Sequence, residues 1–406
     1  MKRASDFANR ALLACTLRPR VTLTSPWWES LPTDFAREPD PFSFRPRERL
    51  QVGFSAAGDV VLRTLGACLV GSLALPFGYN PVGLYRGLRD RAFYADLVRT
   101  GDASRFFEQP PAAVRMSRRR ARMPLFSPDD GVCEDVRFES PFVPLNHHER
   151  ARYLSHTANR FAHARHWQHH KGPRSTVVAI HGFSADLYHF NEWFFSIRWL
   201  YAAGFDVLLV TLPFHGARQS LLAPFSGHGF FAGGTNAINE ALAQAVFDIR
   251  IYIGSLFAAG VSRVGITGMS LGGLTASLVA SADDRLAFAI PNVPVVSLAD
   301  LVLEWEPIAS LVKLGLAASF KDIRVLREML APSCPLSFKP KLPRERLFII
   351  GGAGDRLAPP RHARLLWDHW DRPRIHWFPG SHVLHLDRGQ YFRATKAFFG
   401  DIGFTP

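Results

Sequence analysis

The sequence predicts an α/β protein built on an open, doubly wound sheet that is mostly parallel. This prediction rests on residues 175–406, in which apolar strand-like runs alternate with helical patterns. Continuous apolar strands separated by helices are typical of a parallel sheet that is covered by helices on both faces. The composition agrees, because 406 residues with 47% hydrophobic and 20% charged side chains can bury a full core.

Six apolar runs in this part of the chain are predicted to be strands. They are STVVAIHGF (175–183), FDVLLVTLP (205–213), RVGITGMS (263–270), AFAIPNVPV (287–295), RLFIIGGAGD (346–355) and RIHWFPGSH (374–382). Helical patterns between them cover 236–259, 274–281 and 360–370. In such sheets the chemistry gathers at the carboxyl ends of the strands, so the residues that follow each run are the first candidates for a site.

Residues 1 to about 140 predict a different structure, a mainly helical extension that docks on the domain formed by residues 141–406. This part is rich in Pro, Phe and Arg and has helical patterns such as Leu84 to Val98. Most of the formal net charge of +13 lies before residue 175, where 27 basic residues face 17 acidic ones. We expect no nucleic-acid partner, because no aromatic residues alternate with the densest arginine cluster, at 115–122.

The segment 146–171 contains seven of the sixteen histidines and is interpreted as helical. His163 and His166 would then share a helix face, a spacing that metal sites use. Since no acidic or cysteine ligand is placed nearby, we expect a structural role for them and no metal site. The four cysteines are too far apart in the sequence for a zinc site or a disulfide framework.

An uncharged segment, from Thr64 to Leu84, bears on membrane association. Its apolar part ends at Pro76, short of the roughly 18 to 20 residues that a membrane span requires. We therefore expect a buried or surface-lying helix, with peripheral membrane contact through this segment and the arginines near 118. The N-terminal stretch is unlike a signal peptide, because Asp6 and Arg10 interrupt it, so we expect a cytoplasmic protein.

The segment Gly268-Met269-Ser270-Leu271-Gly272 matches the pattern G-x-S-x-G. It follows an apolar strand and begins a helix, so Ser270 is predicted to lie on a sharp, strained turn as a nucleophile. Gly268 and Gly272 fit this turn because only residues without side chains let the neighbouring backbone pass so closely. A serine hydroxyl needs a base, and the order Ser, Asp, His predicts a carboxylate and a histidine later in the chain.

Asp355 and His382 are the candidates for the carboxylate and the base. Each follows one of the last two predicted strands, so both belong to the carboxyl edge of the sheet. His385 is an alternative base. We prefer His382 because it lies two residues after Gly380 at the strand exit, whereas His385 falls one helical turn later.

An oxyanion hole requires two backbone N–H groups, which we assign to Phe183 and Leu271. Leu271 follows the candidate nucleophile directly, and Phe183 belongs to the loop that ends the first predicted strand. His181 and Gly182 precede it there, and we expect His181 to support the loop by hydrogen bonding.

Taken in order, these motifs resemble those of the α/β-hydrolase superfamily. The resemblance covers about residues 140–406 and rests on HGF (181–183), LPFHGAR (212–218), GMSLGG (268–273), GDRLAPP (354–360) and GSH (380–382). The chain is most similar to the esterase and lipase-like branch with a long N-terminal extension. The resemblance implies an eight-stranded, mostly parallel sheet, with Ser270 as nucleophile and Asp355 and His382 as its relay.

Two insertions are predicted to form the substrate pocket. The Gly- and Phe-rich loop 217–235 shows little helical or strand character and would be a mobile wall beside the nucleophile. The segment 296–341 is amphipathic and helical, as a cap would be. Its candidates for the apolar lining are Leu301, Leu303, Trp305, Leu311 and Leu314. An apolar cap favours an acyl ester, thioester or lipid as substrate over a sugar or a phosphate.

These observations predict a serine hydrolase that cleaves carboxylic, acyl or lipid-like esters through an acyl-enzyme, with no metal or organic cofactor. Two alternatives stay open at this stage. An acyltransferase would use the same triad with an alcohol or amine as acceptor. A ligand-binding or scaffold protein would keep the fold without catalysis.

Overall fold

The computed structural model describes residues 2–24, 26–318, 321–386 and 388–406. The described strands form one sheet of nine, in the spatial order β1-β2-β3-β5-β4-β6-β7-β8-β9. They are β1 (Ser117–Arg120), β2 (Gly131–Glu139), β3 (Phe161–His169), β4 (Thr176–Ile180), β5 (Asp206–Thr211), β6 (Val264–Met269), β7 (Ala289–Asn292), β8 (Phe348–Gly352) and β9 (Arg374–Phe378).

The α-helices of the described residues are α1 (Lys2–Thr16), α2 (Trp27–Ser30), α3 (Pro46–Leu73), α4 (Leu75–Gly78), α5 (Pro81–Val98), α6 (His147–Leu154), α7 (Tyr188–Phe194), α8 (Ile197–Ala202), α9 (His228–Ala232), α10 (Gly234–Ala258), α11 (Leu271–Ala282), α12 (Leu298–Leu301), α13 (Ile308–Ala318), α14 (Ile323–Met329), α15 (Pro360–His369) and α16 (Arg388–Asp401). Short 3₁₀ helices cover Phe35–Arg37, Ala103–Arg105, Thr157–Arg160, Gly216–Arg218, Val302–Glu304, Ala331–Ser333, Pro335–Ser337 and Arg344–Arg346.

The predicted fold class is confirmed. The strands from β5 to β9 in the spatial order run parallel, and β1, β2 and β3 are added antiparallel at one edge. Along β4, Val178 and Ile180 pack into one apolar core while Val177 and Ala179 pack into another. Because successive side chains of a strand point to opposite faces, the sheet has a core and helices on each side. The six predicted strands are all present, and the sheet has nine described strands where the resemblance implied eight.

The histidine-rich segment 146–171 is helical only at its start, in α6. Its later part, with His163 and His166, is strand β3, so the helical interpretation was wrong there. β3 pairs with β2 over nine positions and, from His163 to Trp167, with β5 as well. Residues three apart on a strand face opposite ways, so His163 and His166 do not share a face. Backbone pairing to two neighbours outweighs the weak helical spacing of these residues. In the part of the chain that the structure describes, no group of His, Cys, Asp and Glu has the arrangement of a metal site.

The sheet begins before the boundary that we expected at about residue 140. β1 and β2 both come from residues that we assigned to the extension, and they form one edge of the sheet. The segment 296–341 lies between β7 and β8 and contains α12, α13 and α14. The division into an extension, a main domain and a cap stays a prediction.

The N-terminal residues are joined to the segment 296–341 by hydrogen bonds to Arg327, which is also the cation of a buried ion pair within that segment. Arg327 of α14 contacts Asp300 of α12 at 2.6 Å, and both side chains are inaccessible to solvent. The same guanidinium donates to the backbone oxygens of Leu31 at 2.6 Å and Pro32 at 2.8 Å. A buried charge is tolerated only when it is paired and hydrogen-bonded, so these contacts fix the N-terminal segment on the cap.

Helix α3 begins at Pro46, well before the uncharged segment from which we expected it. Among the described helices, α3 and α10 are long and apolar enough to cross a membrane, by length and composition alone. They differ in burial, because α10 is a core helix and most of α3 is exposed. α3 therefore presents an apolar face to the outside while its other face packs on the protein.

Candidate active site

Ser270 lies on a sharp turn between β6 and α11, as the sequence predicts. It is the single residue between the two elements. Its φ of 57° is in the left-handed region, which strains a residue with a side chain and is common at functional turns. The Ser270 N–H donates to the backbone oxygen of Asn292, at the end of β7, at 2.9 Å. These constraints fix Ser270 at the carboxyl edge of the sheet.

The two glycines of the motif allow backbone segments to touch behind Ser270. A Cβ atom on Gly272 would lie 2.1 Å from the backbone oxygen of Ile180 and 2.6 Å from that of His181. A Cβ atom on Gly268 would lie 2.1 Å from the backbone oxygen of Gly272. Since packed atoms do not approach so closely, a side chain on Gly272 would push α11 away from β4, and one on Gly268 would push α11 away from β6.

Asp355 and His382 meet at the carboxyl ends of β8 and β9. The Nδ1 atom of His382 lies 2.7 Å from Oδ2 of Asp355, and both side chains are buried. The other carboxylate oxygen accepts hydrogen bonds from the backbone N–H groups of Leu357 and Ala358, at 2.9 and 2.8 Å. With Nδ1–H donated to Asp355, Nε2 of His382 is the ring atom that can act as a base.

The electrostatics of this pair favour a basic imidazole. Burial alone would lower the pKa of His382, but the carboxylates of Asp355 and Asp59 raise it, and the net direction is upward. Burial also raises the pKa of Asp355. Within the described residues the Ser270 hydroxyl makes no hydrogen bond to His382. Such contacts often tighten only when a substrate is bound.

His385, the alternative base, has different surroundings. Its ring packs against those of Phe378 and Phe194, with centroids 4.4 and 4.8 Å away. Burial lowers its pKa to about 3. The structure thus brings His382, and not His385, to Asp355.

The loop expected to supply an oxyanion donor lies directly beside Ser270. A Cβ atom on Gly182 would be 3.4 Å from the Cβ of Ser270. Phe183 is the next residue, and Leu271 is the first residue of α11. No acceptor for the N–H group of Phe183 or Leu271 is found among the described residues. Both groups are therefore available to a developing negative oxygen.

His181 supports this loop by hydrogen bonding, as expected. Its Nε2 accepts a hydrogen bond from the backbone N–H of Leu212 at 3.0 Å. Its Nδ1 therefore carries the proton and donates to the backbone oxygen of Gly182 at 2.7 Å. Burial lowers the pKa of His181, which keeps the ring neutral in this arrangement. The ring ties the loop to the end of β5.

The Gly- and Phe-rich segment is more regular than predicted. It contains α9 and the start of α10, so the expectation of little helical character was wrong. The ring of Phe183 contacts the ring of Phe231 at a centroid distance of 5.0 Å and that of Phe225 at 6.3 Å. The segment therefore packs aromatic side chains on the loop beside Ser270.

The cap contributes only part of its predicted lining. A small buried cluster contains Ala67, Val70, Ala74 and Ile308, and Phe183, Phe225, Phe231 and Trp305 pack against it. Leu301 and Leu303 pack instead with the main core. Leu311 and Leu314 are 53% and 68% exposed, so the expectation that they line the pocket was wrong. They lie on the outer side of α13, whose inner side is formed by Ile308, Ala309 and Val312.

Sequence reasoning missed Asp59, which contacts the loops of both triad candidates. Asp59 is on α3, and its Oδ2 accepts hydrogen bonds from the backbone N–H groups of His382 and Arg356, at 2.8 and 3.0 Å. No local motif marks this residue. The one available signal was that it is the single acidic residue between Arg49 and Asp90.

The chain is similar to two curated proteins of Mycobacterium tuberculosis. They are the uncharacterized protein Rv2627c of strain ATCC 25618 / H37Rv and the uncharacterized protein MT2702 of strain CDC 1551 / Oshkosh. Each is 32% identical to the chain over 313 residues, which is 72% of this chain and 68% of the relative. No family model matches the chain.

Solved structures with the same arrangement of elements include two esterases. Acetyl xylan esterase 1 from Thermoanaerobacterium sp. JW/SL YS485 has a TM-score of 0.53 and 14% identity, over 77% of this chain and 93% of that one. The acetyl xylan esterase from Paenibacillus sp. R4 has the same TM-score and identity, over 76% and 94%. At this identity the likeness shows the fold, which is that of the α/β hydrolases.

Proposed function

We propose that this chain, which belongs to the family of these two mycobacterial proteins and has the α/β-hydrolase fold, is a serine hydrolase of carboxylic esters. The observation that carries the proposal is the 2.7 Å contact between Asp355 and His382, together with a strained Ser270 at the same carboxyl edge of the sheet. A carboxylate that orients an imidazole next to a serine is the arrangement that activates a serine nucleophile.

In the proposed mechanism, Ser270 attacks the ester carbonyl and forms an acyl-enzyme. Nε2 of His382 takes the serine proton and returns it to the leaving alcohol, while Asp355 holds the ring and stabilises the imidazolium. Water then attacks the acyl-enzyme with His382 as base again, which releases the acid. The raised pKa of His382 supports its role as proton acceptor.

The tetrahedral intermediate of each step carries a negative oxygen. We propose that the backbone N–H groups of Phe183 and Leu271 bind it. Two observations support this assignment: Gly182 lies against Ser270, and His181 ties the loop to β5.

The apolar surroundings support an acyl chain as the part of the substrate that is recognised. Phe225 and Phe231 from one insertion and Trp305 from the cap pack, like Phe183, against the cluster that α3 and α13 form. Such a lining favours alkyl or lipid-like esters over polar substrates.

Covalent labelling of the purified full-length chain with a fluorophosphonate probe tests the proposal. We expect the wild type to be labelled at Ser270, as read by mass spectrometry of the modified peptide. Ser270→Ala and His382→Gln should lose the label. His385→Gln is the matched control and should keep it, because that ring does not contact Asp355.

The labelling results lead to different next experiments and conclusions. Labelling that requires Ser270 and His382 leads to p-nitrophenyl ester assays with chains of increasing length, with and without an alcohol acceptor. Faster product formation with the alcohol would identify acyl transfer. A folded wild type that is not labelled would refute the proposal and favour a ligand-binding role on this fold.

We further propose that the protein is cytoplasmic and docks on an anionic phospholipid bilayer through α3. The exposed large apolar side chains of this helix are Leu50, Phe54, Val60, Val61, Leu62, Leu65, Leu69 and Leu73. Asp59 and Arg63, the only charges between Arg49 and Arg86, bond to the protein instead. Exposed Arg47 and Arg49 begin the helix and complement an anionic lipid surface.

The arginines near 118 are left out of this surface. They lie on or beside β1, at the edge of the sheet opposite β9, whereas α3 contacts the loops after β8 and β9. The inner side of α3, by contrast, carries Ala67 and Val70, which belong to the apolar cluster next to Phe183. Docking through α3 would therefore bring lipid close to the proposed site.

Flotation with vesicles of phosphatidylglycerol and phosphatidylcholine tests the docking surface. We expect binding at low salt, weaker binding at high salt, and loss of binding in Leu65→Asp. Leu125→Asp is the matched control, since Leu125 is equally exposed but lies in the turn between β1 and β2. Unchanged vesicle binding by Leu65→Asp would contradict the proposal. If the wild type is a dimer in gel filtration and Leu65→Asp dissociates it, the apolar face of α3 is a subunit interface, which would also contradict the proposal.

A further inference from the structure

We infer that Asp59 is a positioning residue of the proposed triad, and that the N-terminal helix α3 is thereby part of the active site. Its carboxylate joins the loop that carries Asp355 to the loop that carries His382. This inference rests on the proposed function, because it gives Asp59 its role through that triad.

One oxygen of Asp59 holds both loops. Oδ2 accepts from the N–H of His382 at 2.8 Å and from the N–H of Arg356, the neighbour of Asp355, at 3.0 Å. The residue is 1% exposed, so neither bond competes with solvent. Charge-assisted hydrogen bonds to a buried carboxylate are about twice as strong as neutral ones. Asp59 thus fixes the backbone at the point from which the imidazole projects.

Other residues of the extension hold the same loop. Arg63, one helical turn after Asp59, donates to the backbone oxygen of Arg356 at 3.1 Å. Asp40 accepts from the guanidinium of Arg356 at 3.0 Å. Val52 packs so closely on the loop that a Cβ atom on Gly354 would lie 2.7 Å from its Cγ1. Residues 40–63 therefore cover the loop after β8 from one side.

Asp59 also acts on the charge of the imidazole. Burial opposes protonation of His382, and the carboxylates of Asp355 and Asp59 both favour it, with a net rise of the pKa. The remaining titratable neighbour is His385, whose own pKa burial lowers to about 3, so it stays neutral. Asp59 is therefore the second negative charge at His382, and it comes from outside the predicted hydrolase domain.

Two substitutions separate the hydrogen bonds of Asp59 from its charge. Asp59→Asn keeps an oxygen that can accept both N–H groups but removes the negative charge. Asp59→Ala removes both. Asp90→Asn is the matched control, because Asp90 is a buried aspartate on α5 that is bonded to Asn146 and Asn236 and not to the triad.

The measurement is the rate of fluorophosphonate labelling of Ser270 in the full-length protein from pH 5 to pH 9. For Asp59→Asn we expect the midpoint of the acid limb to fall by about one pH unit, with the plateau rate retained. For Asp59→Ala we expect the plateau to fall by about tenfold or more, because the imidazole is misplaced. Asp90→Asn should keep both the midpoint and the plateau. Circular dichroism checks that each variant is folded.

The outcomes distinguish this inference from the proposed function. An unlabelled wild type refutes the function and, with it, the role of Asp59. A labelled wild type with an unshifted midpoint in Asp59→Asn overturns the inference alone. If Asp59→Ala does not fold, the Asn variant still decides, because a purely structural carboxylate would not move the midpoint.

Discussion

Adding one methyl group at Gly272 is expected to disable the site without unfolding the protein. The Cβ atom of Gly272→Ala would lie 2.1 Å from the backbone oxygen of Ile180 and 2.6 Å from that of His181. Both obstacles are backbone atoms of β4 and the loop after it, so no side-chain rotation relieves the overlap. An ordinary contact would require α11 to retreat from β4 by about 1 Å.

That displacement separates the groups that must act together. Ser270 and the N–H of Leu271 would move with α11, while Phe183 stays with β4. A misplacement of 1 Å in a catalytic arrangement costs about a hundredfold in rate. Overpacking of a buried site costs about 1 to 3 kcal/mol of unfolding free energy, which a domain of this size tolerates.

The assay compares fluorophosphonate labelling rates and urea unfolding curves of Gly272→Ala and Gly254→Ala. Gly254 is in α10, where the nearest group to an added Cβ is Nη1 of Arg285 at 3.7 Å, an ordinary contact. The control should label normally and gain up to about 1 kcal/mol of stability from its better helix propensity. Normal labelling of Gly272→Ala would refute the argument that the glycine contact sets the position of Ser270.

Four further outcomes are expected. The labelling rate of the wild type should reach half its maximum above pH 6.5. Neighbouring carboxylates raise the pKa of His382, and only the neutral ring accepts a proton. A midpoint below pH 6.5 would contradict this expectation. Asp355→Asn should lower the plateau by about a thousandfold or more, as measured by the same assay. In urea unfolding, Asp300→Asn should lower the free energy of unfolding by about 3 to 5 kcal/mol, because it leaves the fully buried Arg327 without its counter-charge. A decrease under about 1 kcal/mol would argue against a buried ion pair. Trp305→Ala should shift the preference among p-nitrophenyl esters toward longer chains, since it removes the largest cap side chain packed beside Phe183.

Much of the sheet could be predicted because it is built from local signals. The six runs from β4 to β9 are mostly apolar, as is typical of strands that are covered on both faces. The turn at Ser270 follows from glycines at fixed spacing, and the order of Ser270, Asp355 and His382 follows from the order of the strands. These features need no knowledge of which residues meet in space.

The features that were missed depend on contacts between residues that are far apart in the sequence. β3 is a strand that pairs with β2 and β5 on its two sides, and a sequence read for helical spacing does not reveal these partners. Leu311 and Leu314 were expected to face the site because an amphipathic pattern shows that a helix has two faces but not which one is covered. Asp59 is a plain acidic residue in an apolar helix until the fold carries it to His382.

The contact of Asp59 with His382 joins residues that are synthesised at very different times. Asp59 is separated from Arg356 by 297 positions and from His382 by 323. At the usual pace of translation, helix α3 would leave the ribosome on the order of tens of seconds before its partners exist. During that time the buried carboxylate of Asp59 lacks the backbone groups that it binds in the folded protein. Ribosome-bound or truncated chains that lack Asp355 and His382 should thus be unreactive toward the probe until synthesis is complete.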